Sequence, residues 1–245
     1  MNRCRPARIA VTAVALTVSV GCSLRDQRTR GEDLLKQTST TIAKARAFSF
    51  STDEVSERIA RDGSTRAIHM QRYITVRRPD RLWFKTSGAS ATEGFYDGAR
   101  LTLVFHSDKL FGIIPTPPTL IETVRLVAER YGIPLPIGDL LTADPRHSLV
   151  NSQTTGGWAG EEFIDGKHCA RLEWHHPNVD WTIWIPTFGE PLPRRLWVDY
   201  KTSMRKATVS FKDWNLAPQI TEQMFESRVP DDYEGVAVNQ RASAQ

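Results

Sequence analysis

From Phe48 onward the chain is built mostly of short segments with a period of two, joined by tight turns. "FSFSTDEVSERI" and "STRAIHMQRYITVRR" flank "RDGS", whose Asp62-Gly63 pair is a hairpin signal. "RLWFKTS" follows Pro79-Asp80, "EGFYDGARLTLVFH" carries a second Asp-Gly pair at 97–98, and "KLFGII" follows. After an interruption come "GWAGEEFIDG", "KHCARLEWHH", "VDWTIWIP", "RRLWVDYK" and "KATVSFKDWNL", with Asp165-Gly166 joining the first two. Strands arriving in succession, without helices alternating between them, predict an antiparallel meander and exclude a parallel βαβ sheet. The fold class that follows is α+β.

Two other textures complete the domain. Residues 31–47 read as a helix, with Leu34, Leu35, Ile42 and Ala43 near helical spacing and a Thr-Ser-Thr-Thr run that opposes it. "PTPPTLIETVRLVAERYG" is the strongest helix: Thr119 and Glu122 make a capping box, Leu120, Val124, Val127 and Tyr131 form one stripe, and Gly132 stops it. The proline-rich apolar run "IPLPIGDLLTADP" follows. So apolar a segment must pack on something, and helix and segment together are expected to lie across the sheet as a cover.

"VDWTIWI" departs from simple alternation. Trp181, Ile183 and Ile185 point one way, while Trp184 points the other with only Thr182 for polar company. "LWVDY" repeats the theme, with Leu196, Val198 and Tyr200 opposed to Trp197 and Asp199. All seven tryptophans fall in strand segments. One face of the sheet is therefore an apolar wall, covered either by the chain's own helices as a permanent core or by a bound apolar ligand.

The N-terminus is an export signal. Arg3, Arg5 and Arg8 precede twelve apolar or small residues, 9–20, and Gly21-Cys22 follows. Such a run rises about 18 Å as a helix, short of a bilayer's hydrocarbon core. "VSVGC" resembles the lipobox of bacterial lipoproteins in Val20, Gly21 and Cys22 and departs from it at Ser19. That resemblance implies acylation of Cys22, a membrane anchor. Because Ser23 is not aspartate, it also implies the periplasmic face of the outer membrane. The alternative is cleavage after "SVG" to a soluble periplasmic or secreted product, in which case a Cys22–Cys169 bridge is conceivable. Removing the three leader arginines from the 32 basic residues leaves 29 against 28 acidic ones, so the mature chain has no footprint for nucleic acid. The expected organisation is a signal at 1–21, an anchor linker at 22–30, one domain at 31–235 and a disordered tail at 236–245.

No P-loop, dinucleotide, nucleophile-elbow, zinc-protease or Cys-x-x-Cys pattern is present, and nothing in the sequence implies an enzyme, a metal or a cofactor. His175 and His176 are neighbours on a strand, so they diverge, and "HHPN" reads as a polar turn. His168 and Cys169 diverge by the same rule, leaving Cys169 as a small buried residue. His106 with Asp108, and Asp144 with His147, are pairs that six histidines supply by chance. Arg77, Arg78, Arg81, Arg194 and Arg195 flank strands and read either as a solvated rim or as contacts for a lipid phosphate.

"RRPDRLWF", "FYDG", "PPT…YGIPLPIGDLL", "DGKHCARL", "VDWTIWI" and "PLPRRLWVDYK…WNLAP" together resemble a family of predicted periplasmic proteins, domain of unknown function 2092, over nearly all of residues 31–230. The family is related in fold to the LolA/LolB-like lipoprotein carriers and receptors. This resemblance implies a curved antiparallel half-barrel with helices on its concave face and space for acyl chains between. The expected function is binding of an acyl-bearing hydrophobic ligand, a lipid or lipoprotein, in an apolar slot. The lining candidates are Phe84, Leu103, Phe105, Leu120, Val124, Val127, Leu172, Trp174, Trp181, Ile183 and Leu196, with residues 115–143 as the moving cover. The alternative is a structural or interaction protein whose half-barrel is filled by its own side chains. The sequence carries no signal of oligomeric state.

Overall fold

The structure, a computed structural model, describes residues 20–59, 64–88, 91–131, 150–202 and 205–239. Twelve strands form one sheet: β1 Ala47–Ile59, β2 Thr65–Arg77, β3 Arg81–Gly88, β4 Thr92–Tyr96, β5 Arg100–Phe105, β6 Leu110–Pro115, β7 Thr155–Ile164, β8 Lys167–His175, β9 Val179–Pro186, β10 Arg195–Tyr200, β11 Arg205–Asn215 and β12 Glu234–Gly235. Helix α1 spans Val20–Lys44 and α2 spans Leu120–Tyr131. The strand order is β12-β6-β5-β4-β3-β2-β1-β11-β10-β9-β8-β7. Two antiparallel meanders, β1 to β6 and β7 to β11, are thus joined edge to edge where β1 pairs with β11. The sheet is open and curls around both helices, and one hydrophobic core takes residues from β5 and β6 near one edge and β8 near the other. The face turned to the helices is the concave one.

Turn chemistry holds the meanders in register. Asp165 and Gly166 both adopt positive φ, +48° and +74°, which is the two-residue hairpin turn that matches strand twist. At the other Asp-Gly pair, the Asp97 carboxylate accepts the N–H groups of Ala99 and Arg100, each at 3.0 Å. Asp62-Gly63 lies outside the described residues.

Alternation then sorts side chains between the faces. Phe48 and Phe50 on β1, Ile74 and Val76 on β2, Val209 and Phe211 on β11, and Leu196 and Val198 on β10 all point inward and are buried. Two bulges adjust the pattern. Asp213, at φ +53°, is the extra residue between Phe211 and Trp214, and it places both rings on the concave side. There Trp214 stacks on Phe50 at 4.4 Å and donates its indole N–H to the Pro193 carbonyl. The other bulge lies on β7, between Trp158 and Gly160. On β9, Trp181, Ile183 and Ile185 are buried inward as expected, and Trp184 lies on the convex face. No second layer among the described residues covers Trp184: it is half-buried, with its indole N–H donated to Glu162 at 2.6 Å.

Helix α1 begins well before residue 31, so the segment expected as a linker, residues 22–30, is helical and continuous with the rest. The Arg28–Glu32 pair at i,i+4 supports the junction. Gly31, Leu35, Thr38, Ser39, Ile42 and Ala45 face the sheet. The Thr-Ser-Thr-Thr run does not break the helix, because Thr38 and Ser39 donate their hydroxyls to the carbonyls of Leu34 and Leu35. In α2, Thr119 and Glu122 make the capping box, and Leu120, Thr123, Val124 and Val127 are buried. Gly132 and residues 133–145 lie outside the described residues. At the C-terminus the packed chain continues past the expected end at 235. The Val236 N–H bonds the Phe111 carbonyl, and Val238 packs on the core over Gly112, so the residues up to 239 are not a disordered tail.

Candidate functional site: the concave face

The eleven lining candidates come together. Leu103, Leu120, Val124, Val127, Leu172, Trp174, Trp181, Ile183 and Leu196 belong to one hydrophobic cluster, and Phe84 and Phe105 pack against it. Nine are at most 9% exposed, and the two phenylalanines are half-buried. Two open clefts of ≈ 590 and ≈ 530 Å³ run along α1, and none of the eleven lines either. Nine of the eleven candidates are thus enclosed side chains, and neither cleft along α1 reaches them.

Its two ends are roofed differently. Under α1, a Cβ added to Gly157 would stand 2.4 Å from the Gln27 carbonyl oxygen and 2.7 Å from the Arg28 Cα, so helix and strand touch backbone to backbone. Beside this contact Trp174 and Trp181 stack at 5.6 Å. Arg30 lies over the Trp158 ring at 3.3 Å and pairs with Glu161. Under α2 the ties among the described residues gather at the helix start. The Leu120 N–H bonds the Pro79 carbonyl at 3.0 Å, and the Pro117 carbonyl accepts both the Tyr96 and Thr123 hydroxyls. Burial pushes the Tyr96 phenol above its ordinary range, which keeps it a donor. A Cβ at Gly94 would meet the Phe84 ring at 2.1 Å, so this glycine is what lets Phe84 lie flat on the floor of the α2 end.

One group on this face escaped the sequence reading. Glu54 on β1 has a side chain only 1% exposed, between Arg72 on β2 at 3.0 Å and Arg205 on β11 at 3.8 Å. Although close, neither guanidinium is aligned for a hydrogen bond to the carboxylate, and both Glu54 oxygens, with the Thr52 hydroxyl beside them, lack hydrogen-bond partners. The signal was present: Phe48 and Phe50 fix the inward parity of β1, and that parity carries Thr52 and Glu54 inward too.

The other polar candidates serve the fold. Arg77 pairs with Glu222 on a 3₁₀ turn, Glu222–Phe225, that the sequence did not reveal. Arg81 bonds the Asp97 carbonyl and pairs with Asp80. Arg78 lies over Phe48, and burial lowers its pKa. His175 reaches Asp180, while the His176 ring accepts the Asn178 N–H within the turn. Burial draws the Asp180 carboxyl upward, but bonds and charge from Lys201 and His175 outweigh it and hold it below the usual range. His168 points to Thr187 and Glu161, away from the buried Cys169, whose thiol pKa is pushed up by burial. His106 bonds Glu93 and Tyr233. Asp144 and His147 lie outside the described residues.

Among solved structures, an uncharacterised conserved protein from Thermus thermophilus is similar at TM-score 0.52 and 9% identity, over 84% of this chain and 98% of that one. That likeness bears on the fold alone. A LolA superfamily protein from Nitrosomonas europaea matches at TM-score 0.41 and 11% identity, over 81% and 98% of the two chains. The Mycobacterium tuberculosis lipoprotein LppX matches at 0.43 and 10%, over 78% and 97%. No curated protein is significantly similar. Across residues 31–239 the chain matches, and belongs to, the family of predicted periplasmic proteins DUF2092.

Proposed function

We propose that this protein binds an acyl-bearing hydrophobic ligand, a lipid or an acylated protein, on the concave face beneath α2, without catalysis. The observation that carries the reading is the asymmetry of the roof. Apolar wall runs the length of the sheet, yet at one end the ties of its cover, among the described residues, gather at the start of a single helix. Movement of α2 would uncover Leu103, Phe105 and Phe84 for an acyl chain, each buried methylene contributing about 0.8 kcal/mol. The protein is held at the periplasmic face of the outer membrane by acylated Cys22. Because α1 is continuous from Val20, the anchor stands on a helical post: nine residue steps carry the helix from Cys22 to the Gly31 contact, about 14 Å of rise.

Enclosure of nine of the eleven candidates favours a second reading, an envelope scaffold with a self-filled interior. Organic extraction of the purified mature chain, with mass spectrometry of the extract and titration with a fluorescent fatty acid, separates the two. Co-purified lipid and saturable binding are expected; repeated absence of both leaves the scaffold. For the anchor, Cys22→Ala is expected to move the protein from the membrane fraction to the soluble one, and persistence in the membrane would refute acylation there.

A further inference from the structure

The Glu54 cluster stands where packing alone has no use for it. Along the strands, inward positions run Phe48, Phe50, Thr52, Glu54 on β1 and Val76, Ile74, Arg72, Met70 on β2. Across the sheet, the apolar row Phe50–Ile74–Phe84 gives way one step on to Thr52–Arg72–Thr86. Thr52 and Thr86 are buried, and Glu54 follows in the next row opposite Val209. On β1 to β3 the concave face is therefore amphipathic along the strand direction, with a greasy row beside a row of hydroxyls and a guanidinium group that Phe211 on β11 and Phe105 on β5 close at either side.

An ion pair taken out of water is a poor source of stability unless its hydrogen bonds are well made, and here they are not. Both Glu54 oxygens and the Thr52 hydroxyl are unpartnered. The two guanidinium groups are less buried than the carboxylate, at 15% and 25% exposed. Arg72 also contacts the Met70 sulfur, and Arg205 bonds the Ser56 hydroxyl and lies over Tyr200. Among the described side chains of the cluster, two guanidinium groups stand against one carboxylate beside the apolar row. Glu54 holds both arginines by charge, and neither guanidinium spends a hydrogen bond on it.

We infer that Arg72 and Arg205, positioned by Glu54, form the headgroup end of the ligand site, so that the ligand is an amphiphile with an anionic headgroup. Its tail lies along Phe50, Ile74 and Phe84, and the phosphate or carboxylate takes the guanidinium donors that Glu54 leaves unused. Planar donor forks suit such oxyanions. This inference rests on the acyl-binding reading above and narrows it.

The test is a titration of the mature chain, residues 22–245, with monolauroylglycerol and with lauroyl lysophosphatidate, which differ only by the phosphate. The tryptophans of the concave face report binding. The expected result is a preference of about tenfold or more for the lysophosphatidate, weakened by salt. Arg72→Gln and Arg205→Gln should each bring that preference close to parity. Should Arg72→Gln fail to fold by circular dichroism, Arg72→Lys keeps the charge and loses the fork, and it should retain only part of the preference. Equal affinity of the wild-type chain for both ligands would overturn the headgroup assignment and leave the acyl site standing, as would folded variants that keep the full preference. Binding of neither amphiphile would overturn the acyl site and this inference with it.

Discussion

The two halves of the roof teach different lessons about the same apolar wall. Helix α1 is part of the core. Its inward stripe is buried from Gly31 to Ala45, its backbone touches β7 at Gly157, and Trp174 and Trp181 are sealed beside it. Helix α2 offers four buried side chains and is hung on the carbonyls of Pro79 and Pro117. The only lining candidates left half-buried, Phe84 and Phe105, are at its end of the sheet. Among the described residues, the apolar face meets α1 backbone to backbone and meets α2 through side chains and hydrogen bonds at the helix start.

That contrast can be broken by substitution. Trp174→Ala, at the α1 end, is expected to cost about 4 kcal/mol through lost burial and a cavity. Gly157→Ala places a Cβ against the α1 backbone at φ +153° and should cost about 3 kcal/mol. Val127→Ala in α2 is expected to cost about 1.5 kcal/mol, the transfer term for its two missing methyl groups. Denaturant unfolding of the three variants checks the order. A Val127→Ala loss equal to that of Trp174→Ala would make α2 as much core as α1.

The smallest effect sharpens the account of the sheet itself. Burial raises the Asp97 carboxyl, but the N–H groups of Ala99 and Arg100 and the Arg100 side chain outweigh it, so its folded pKa lies below the ordinary value. A depressed carboxyl stabilises above its unfolded pKa, and the contribution is lost as pH falls through the folded one. Asp97→Asn keeps the accepting oxygen and should flatten this acid-side dependence by a fraction of a kcal/mol, read from unfolding midpoints between neutral and acidic pH.

The meander was legible because period-two runs and Asp-Gly turns are local signals. So were the α2 capping box and the inward parity of Trp181, Ile183 and Ile185. What escaped was non-local or irregular. The β1–β11 pairing joins strands more than 140 residues apart. The Asp213 bulge moves Trp214 across the sheet, the α1 start depends on docking against β7, and the last edge pair, Glu234–Gly235, is too short to show a period. On the concave face, the buried apolar side chains could be read from hydrophobic alternation. Glu54, Arg72 and Arg205 could not be read as a cluster until three strands were placed side by side, since charged residues on strands are by default assigned to solvent.

The central claim is that α2, unlike α1, opens over an acyl site. Hydrogen exchange of both helices in the mature chain, with and without lauroyl lysophosphatidate, tests it most directly. The account predicts that the amides of Leu120–Tyr131 exchange well before those of α1 around Gly31–Ile42 and change on adding the amphiphile, while α1 does not. Equal protection of the two helices, with neither responding, would contradict it.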